Sequence, residues 1–533
     1  MRLTGAEIII ECLKEQRTDA VFGYPGAAVL AIYDALYKNK NYVTHYLTAH
    51  EQGAAHAADG YARATGRTGV CMATSGPGAT NLVTGIAAAF MDSIPLVAVT
   101  GNVSARLLGK DSFQEVDIVG VTMPVTKHGF IVKEASKVAE TARRAFIMAA
   151  SGRPGPVLID ITQDAAEGVA EYAYKPPETA RHAAIDPESL INAARLIEKS
   201  ERPLVLAGGG VISSGASKEL YGFAKTIDAP VCMSMMGLGA YPASDYRCAG
   251  MAGVYGSAAS RAAMDDCDLL IAAGARFSER VTGYAKRFAP KAKILHLDID
   301  PAEINKNVLA DACVLGDLKA SLKGLIDLIK PVGHEEWTGR IAGIKRKKLR
   351  INKKDGTLRP EHVLSRLSEI AGPEAVFTTD VGLHQTLACE SIPREHPRTF
   401  IASGGLGAMG FGLGAAIGAK IGVPNKTVVN VTGDGGFLMN APELATAAGY
   451  GVPVVTFVMN NGCLGMVRRL QDDCCGGRRF ATDMPANVDF VKLAESFGVT
   501  AMRLTDPDDT DKCILKALNC GGPAVVDCVT AYG

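Results

Sequence analysis

Two apolar, β-branched runs in the last third of the chain constrain its fold more than any other feature. Val428-Val429-Asn430-Val431-Thr432 runs into Gly433-Asp434-Gly435, and residues 454–459 run into Asn460-Asn461. Asp434 and Asn461 stand 27 positions apart. That spacing suits a strand, a crossover helix and a parallel strand, which sets both residues side by side at the carboxyl edge of one sheet. One carboxylate and one amide oxygen make a sparse oxygen-ligand set. Mg2+ favours such sets because it keeps water and takes further ligands from a phosphate. The glycines let backbone approach a diphosphate and open a helix whose N-terminus favours anions. The same residues also read as an ordinary turn and a capping Asn-Asn, so residues elsewhere must decide.

A chain of 533 residues exceeds one ordinary core and predicts about three domains. Its 58 glycines fit an α/β protein with many tight strand-to-helix turns. Lysine plus arginine equals aspartate plus glutamate at 56 each, so no global field draws nucleic acid or an acidic membrane. Residues 1–16 lack the apolar core of a targeting peptide, and no segment reads as membrane-spanning. The 13 cysteines include no Cys-x-x-Cys pair; Cys71, Cys232 and Cys528 sit in apolar runs, as small core residues of a reducing cytoplasm do. Adjacent Cys474-Cys475 reads as a surface pair in a loop, with metal binding or oxidation as the alternative.

Three segments separate along the chain. Residues 1–175 alternate helix patterns (5–15, 82–90) with strand patterns (69–73, 96–100, 157–161). Lys175-Pro176-Pro177 and Asp186-Pro187 mark a linker. Residues 186–335 carry short strand patterns at 204–207, 269–273 and 294–297, each followed by glycine or aspartate. A basic run from Lys345 to Lys354 reads as a solvated linker face, and residues 356–533 form the third segment. The first and third are alike in size and both read as parallel α/β units, which permits duplication. The expected fold class is thus α/β, with doubly wound parallel sheets. In the middle segment, Gly208-Gly209-Gly210 after a strand, with Asp298 and Asp300 ending another, suits nucleotide binding but is equally a common loop.

His50-Glu51-Gln52-Gly53 sits where a strand pattern gives way to an alanine-rich helix. An acid there caps a helix or does chemistry. Glu51 within HEQGAAHAADGYAR is followed by TSGPGATN (74–81), KDSFQE (110–115), GRPGPVLID (152–160), GARFSERVTG (274–283), SGGLGAMGFG (403–412), GDGGF (433–437) and LGMV (464–467). In this order, over nearly the whole chain, the motifs resemble the acetohydroxyacid (acetolactate) synthase large subunit.

The resemblance implies three domains: pyrimidine-binding, central nucleotide-binding-like and diphosphate-binding. It implies thiamine diphosphate with Mg2+, and FAD without net redox work. Pyruvate would be decarboxylated and its two-carbon unit joined to a second 2-keto acid, pyruvate or 2-ketobutyrate, for branched-chain amino acids. Asp434, Asn461 and the Cys463 carbonyl would hold Mg2+. Glu51 would hydrogen-bond the aminopyrimidine and assist proton removal, with Gln114 and Lys127 near the reacting carbon. Gly382, His384, Gln385, Gly433 and Gly435 would face the diphosphate, and Met409 would support the bent cofactor. Arg153, Gly209, Arg276, Asp298 and Asp317 are implied for FAD. Phe113, Gln114, Lys127 and Arg280 are implied for the keto acids; a guanidinium suits a carboxylate. The family also implies a homodimer or homotetramer, Glu51's domain meeting another subunit's cofactor domain, and a small regulatory subunit.

Four positions depart from the family pattern. Leu470 stands where a tryptophan favouring 2-ketobutyrate is expected, and Cys474-Cys475 where an aromatic pair is. A GQHQ phosphate segment is here Gly382-Leu383-His384-Gln385. The strand pattern 524–529 is followed only by Thr530 to Gly533, where the family continues with a lid-forming tail. Fewer aromatic walls predict a weak preference for 2-ketobutyrate over pyruvate.

Overall fold

The structure, a computed structural model, describes residues 1–178, 183–283, 288–345, 356–484 and 488–531. Beyond Lys345, the basic run lies outside the described residues. Three six-stranded sheets, parallel throughout, organise the chain. A short antiparallel pair, β1 (Arg2–Thr4) with β8 (Val169–Glu171), closes the first domain on itself.

The N-terminal sheet contains β2 (Ala20–Tyr24), β3 (Thr44–Leu47), β4 (Gly69–Ala73), β5 (Leu96–Asn102), β6 (His128–Val132) and β7 (Pro156–Thr162), in the order β3-β2-β4-β5-β7-β6. The central sheet contains β9 (Pro203–Ala207), β10 (Val231–Met233), β11 (Cys248–Met251), β12 (Leu269–Ala273), β13 (Lys293–Asp298) and β14 (Ala312–Leu315), in the order β11-β10-β9-β12-β13-β14. The C-terminal sheet contains β15 (Val376–Thr379), β16 (Phe400–Ala402), β17 (Val428–Gly433), β18 (Val454–Asn460), β19 (Thr500–Leu504) and β20 (Ala524–Val529), in the order β16-β15-β17-β18-β20-β19. Inner strands such as β4, β5, β7, β9 and β12 are buried along their whole length, because helices cover both faces; hence their continuous apolar runs.

Pattern and structure coincide at helix Gly5–Glu15 and at β4, β12 and β20, and differ by one or two residues at most other ends. Trp337 is buried, its indole donating to the Pro203 carbonyl at 2.9 Å, so helix Glu335–Lys345 belongs to the central core. Cys71, Cys232 and Cys528 are buried core thiols. Among the described residues no helix is long and apolar enough to cross a membrane.

The outer domains meet along helices Glu51–Thr65 and Phe411–Gly422. Alanine and glycine dominate both facing surfaces, so the backbones nearly touch: a Cβ on Gly418 would lie 1.8 Å from the Ala57 carbonyl oxygen, and one on Gly60 2.1 Å from that of Ala415. A buried charge cluster pins one end of this seam. Arg63 pairs with Asp59 and, at 3.0 Å, with Asp92, and donates to the Ala402 carbonyl; Asp92 accepts from the amides of Gly404 and Gly405. Both carboxylates and the guanidinium are paired, which offsets the cost of burying them.

Candidate active site

β17 and β18 pair in register from Val428↔Val454 to Gly433↔Met459, so the residues that follow them are neighbours. Asp434 opens helix Asp434–Asn440. Its Oδ2 accepts from the amides of Asn461 (3.2 Å) and Gly462 (2.7 Å), and its Oδ1 from that of Gly435 (2.8 Å). Burial pushes the Asp434 carboxyl above its ordinary range, and these amides pull it back. Asn461 Oδ1 accepts from the Cys463 amide at 3.2 Å, with the Cys463 thiol at 3.5 Å. Among the described residues no three histidine, cysteine or carboxylate side chains gather to hold a metal. A cation at this edge would therefore rely on one carboxylate, neutral oxygens and ligands from outside the chain.

Gly433, Gly435, His384, Gln385 and Met409 line the same edge. A Cβ on Gly433 would lie 3.0 Å from His384 Nδ1, and one on Gly435 2.7 Å from Leu464 Cδ2 and 3.5 Å from Met409 Cε. Gly382, at φ +155°, precedes helix Leu383–Ser391 and presses against the His384 ring. Burial holds the His384 pKa down to about 4, so the ring is neutral at pH 7. The Nε2 atoms of His384 and Gln385 are buried without a hydrogen-bond partner among the described residues. Unsatisfied buried polar atoms are costly, so these two point to a polar ligand. With the glycine openings beside them, the residues fit a diphosphate and its metal.

Sequence reasoning missed Asp380, the residue that shapes this edge. It follows β15, is buried, and accepts from the amides of Gly410 (3.0 Å) and Gly412 (2.9 Å), which fixes the turn carrying Met409. Its signal was the one used for Asp434: an acid ending an apolar run. Asn81 was also missed.

Glu51 begins helix Glu51–Thr65, whose N-terminus is anchored across the seam: the amides of Ala49 and His50 donate to Glu443 at 3.2 and 3.0 Å. Glu51 Oε2 accepts from Asn81 Nδ2 at 3.0 Å. Asn81 ends helix Pro77–Asn81, reached through Gly76 at φ +56°; a Cβ there would lie 3.0 Å from the Cα of Gln114. The structure thus gathers Glu51, Asn81, the 74–78 turn and the backbone of Gln114, itself at φ +55°. Phe113 beside it is 85% exposed. No hydrogen bond or ion pair among the described residues joins Glu51 to Asp434, Asn461 or Cys463.

Other predicted residues lie apart from both groups. Lys127 donates its ammonium to the carbonyls of Met148 (2.5 Å) and Ser151 (2.6 Å) at the end of helix Ala135–Ala150, and burial lowers its pKa. Arg153 pairs across domains with Asp300 (3.3 Å) and Glu303 (2.8 Å). Asp317 caps helix Leu318–Leu328 through the Ala320 amide, and Asp298 accepts from the Asp300 amide. Gly209 packs against Met236, and its neighbours Gly208 and Gly210 against Gly274, where a Cβ would collide with backbone. Arg276, half-buried, makes no hydrogen bond or ion pair among the described residues; burial lowers its pKa, with Arg153 adding and Asp92, Glu303 and Asp298 opposing. Arg280 is exposed on the short helix Glu279–Thr282.

Three family models match in chain order. Residues 3–121 match the thiamine pyrophosphate enzyme N-terminal TPP binding domain, 190–325 the central domain and 380–528 the C-terminal TPP binding domain. Fold and edge geometry therefore define a three-domain thiamine pyrophosphate enzyme. The chain is 45% identical to a probable acetolactate synthase large subunit of Methanocaldococcus jannaschii, over 99% of this chain and 92% of that one. It is 45% identical to an acetolactate synthase of Mycobacterium bovis (99% and 88% covered) and 40% identical to an acetolactate synthase large subunit of Haemophilus influenzae (97% and 92%). It belongs to the acetolactate synthase large-subunit family.

Proposed function

We propose that the chain catalyses acetolactate synthesis, decarboxylating pyruvate and joining the two-carbon unit to pyruvate or 2-ketobutyrate. The observation that carries this is the register of β17 and β18, which sets Asp434 beside Asn461 at one sheet edge. Thiamine diphosphate, when bound, supplies the electron sink that decarboxylation of a 2-keto acid needs.

The chain's own residues would do the rest. Asp434, Asn461 and the Cys463 carbonyl would hold Mg2+, and the Nε2 atoms of His384 and Gln385, without partners among the described residues, would serve the diphosphate. Gly382, Gly433 and Gly435 would leave room for it, and Met409 would support the ring system. Glu51, with Oε2 held by Asn81, would exchange a proton at Oε1. Gln114 and Phe113 would meet the keto acids, with Arg280 for a carboxylate; Lys127 would join them only by releasing two carbonyls. The resemblance completes Glu51's half with another subunit's cofactor domain, so a homodimer or homotetramer is part of the proposal. A small regulatory subunit follows from the relatives' names. A cytoplasmic setting suits the thirteen free cysteines.

For the central domain we propose FAD. The strand order there reverses between β9 and β12, the position where such sheets bind dinucleotides. Gly208 to Gly210 and Gly274 end those strands, and Arg276 beside them has no ionic partner among the described residues. Arg153, Gly209, Asp298 and Asp317 would complete the flavin site.

Incubation with pyruvate, thiamine diphosphate and Mg2+ should yield acetolactate. Acetaldehyde as the main product would move the chain to a decarboxylase, and no product at all would make it a cofactor-binding relative.

A further inference from the structure

Cys474-Cys475 takes no part in the function proposed above. The structure ends helix Gly465–Cys474 at this pair instead of placing it in a loop; Cys474 is exposed and Cys475 half-buried. The Gln471 carbonyl accepts from the amides of Cys475 (2.9 Å) and Gly477 (3.2 Å), which closes the last turn. Gly476 and Gly477 follow at φ +60° and +75°.

Gln471 also turns its side chain toward the returning segment. Its Nε2 donates to the Phe480 carbonyl at 2.9 Å, and its Oε1 accepts from the Phe480 amide (3.1 Å) and the Thr482 hydroxyl (3.4 Å). The Thr482 carbonyl accepts from the Leu464 amide at 2.7 Å, Gly462 accepts from Met484 at 3.0 Å, and Cys463 pairs with Asp483. A continuous run of hydrogen bonds therefore links the dithiol to the backbone of residues 462–464.

We propose that Cys474 and Cys475 are a redox-modification site, closed to a vicinal disulfide by a small-molecule disulfide such as oxidised glutathione, and that closure loosens the loop bearing Asn461 and Cys463. The second half rests on that loop being the metal-diphosphate site; disulfide formation does not. One Cys thiolate attacks the glutathione disulfide and releases one glutathione thiolate, which takes the displaced proton. The neighbouring thiolate then displaces the second glutathione. Two protein thiols are oxidised by two electrons, and one glutathione disulfide is reduced to two thiols.

Geometry makes this step conformational. Adjacent Cα atoms are about 3.8 Å apart across a trans peptide, against roughly 4.4–6.8 Å in ordinary disulfides. Neighbouring helical side chains also diverge around the axis, so the ring cannot close on a regular turn. The bond from Cys475 to Gln471 must open, and the two glycines supply the slack. A strained ring of this kind is easily reduced again, as a reversible site requires.

The full chain, free of cofactor and metal, is treated with oxidised glutathione, digested and weighed. The peptide holding the pair should lose two hydrogens and carry no glutathione, while C474S and C475S each retain a mixed disulfide. Amide exchange at residues 461–464 and 480–484 should rise about tenfold on oxidation, return with dithiothreitol, and stay unchanged in the double serine variant. Glutathione left on wild-type protein, or a disulfide between chains, overturns the site. A closed disulfide with unaltered exchange overturns the coupling. Reduced protein inactive with pyruvate and cofactors would instead refute the function assigned to the loop, leaving the disulfide in place.

Discussion

The outer domains run six parallel strands in the same spatial order: numbered within each sheet, both read 2-1-3-4-6-5. Each reverses between its first and third strands, so each has one crevice at the same place. In the C-terminal sheet that crevice holds Asp380, His384 and Gly433 beside Asp434. In the N-terminal sheet it holds the 74–78 turn, with Thr74 accepting from the Ala28 amide, and Glu51 stands close by. Topology thus fixes where a crevice opens, and the residues ending the strands fix its chemistry. One crevice sets the Asp434 carboxylate beside glycines and the buried His384 ring; the other offers an acid and small residues.

If these halves divide the work, they must fail differently. Asp434→Ala should abolish acetolactate formation and the thermal stabilisation given by Mg2+ with thiamine diphosphate. Glu51→Gln should lower kcat by about 10²–10⁴, as expected for a lost acid-base group, yet keep that stabilisation. A Glu51→Gln protein that no longer gains stability from the cofactor would break the division.

The seam between the halves should be nearly as sensitive. Gly418→Ala forces a methyl to within 1.8 Å of the Ala57 carbonyl, so the helices must separate. Overpacking of this kind costs about 1–3 kcal/mol or more, read as a lower melting temperature. Gly449→Ala, where nothing lies within 4 Å, should change stability by less than about 1 kcal/mol. Equal effects would show that the domains do not rest on each other as described.

Acid should open the same seam. His56, fully buried against Phe411, has its pKa pushed down to about 3 by burial, with Arg63 adding to it. In the unfolded chain the imidazole binds a proton near its ordinary 6.5. Between these values the unfolded state holds a proton the folded state refuses. Stability should therefore fall as pH drops below 6.5 and level off near 3, by about 1.4 kcal/mol per unit at most. His56→Gln should flatten that slope in urea titrations; an unchanged slope would place the acid sensitivity elsewhere.

Much of this was legible in sequence because it is local. An apolar run ending in Gly-Asp-Gly, a crossover length and a second run fixed β17, β18 and their register. Side-chain partners distant in sequence were not legible. The pairing of Arg153 with Asp300 and Glu303, and the hold of the end of helix Ala135–Ala150 on Lys127, join residues whose separation along the chain hides them from a sequence reading. The N-cap pattern at Asp317, by contrast, is local. The shared strand order was hidden too, since a strand's pattern records burial and not its neighbour.

The smallest expected effect concerns substrate choice at the C-terminal half. Leu470 is half exposed on helix Gly465–Cys474, the helix that directly follows the Asn461 loop. A leucine there offers less apolar surface to an acceptor's extra methyl than a tryptophan would. One methylene in an apolar pocket is worth about 1–3 kcal/mol, which bounds the discrimination available. Leu470→Trp should raise the ratio of acetohydroxybutyrate to acetolactate, in competition between 2-ketobutyrate and pyruvate, by about tenfold. It should leave kcat with pyruvate alone within about threefold, because neither leucine nor tryptophan carries the proton exchange assigned to Glu51. A wild-type protein already forming mostly acetohydroxybutyrate would mean that another side chain supplies the apolar wall. Phe480, 84% exposed on the returning segment that Gln471 holds to this helix, would be the next residue to truncate.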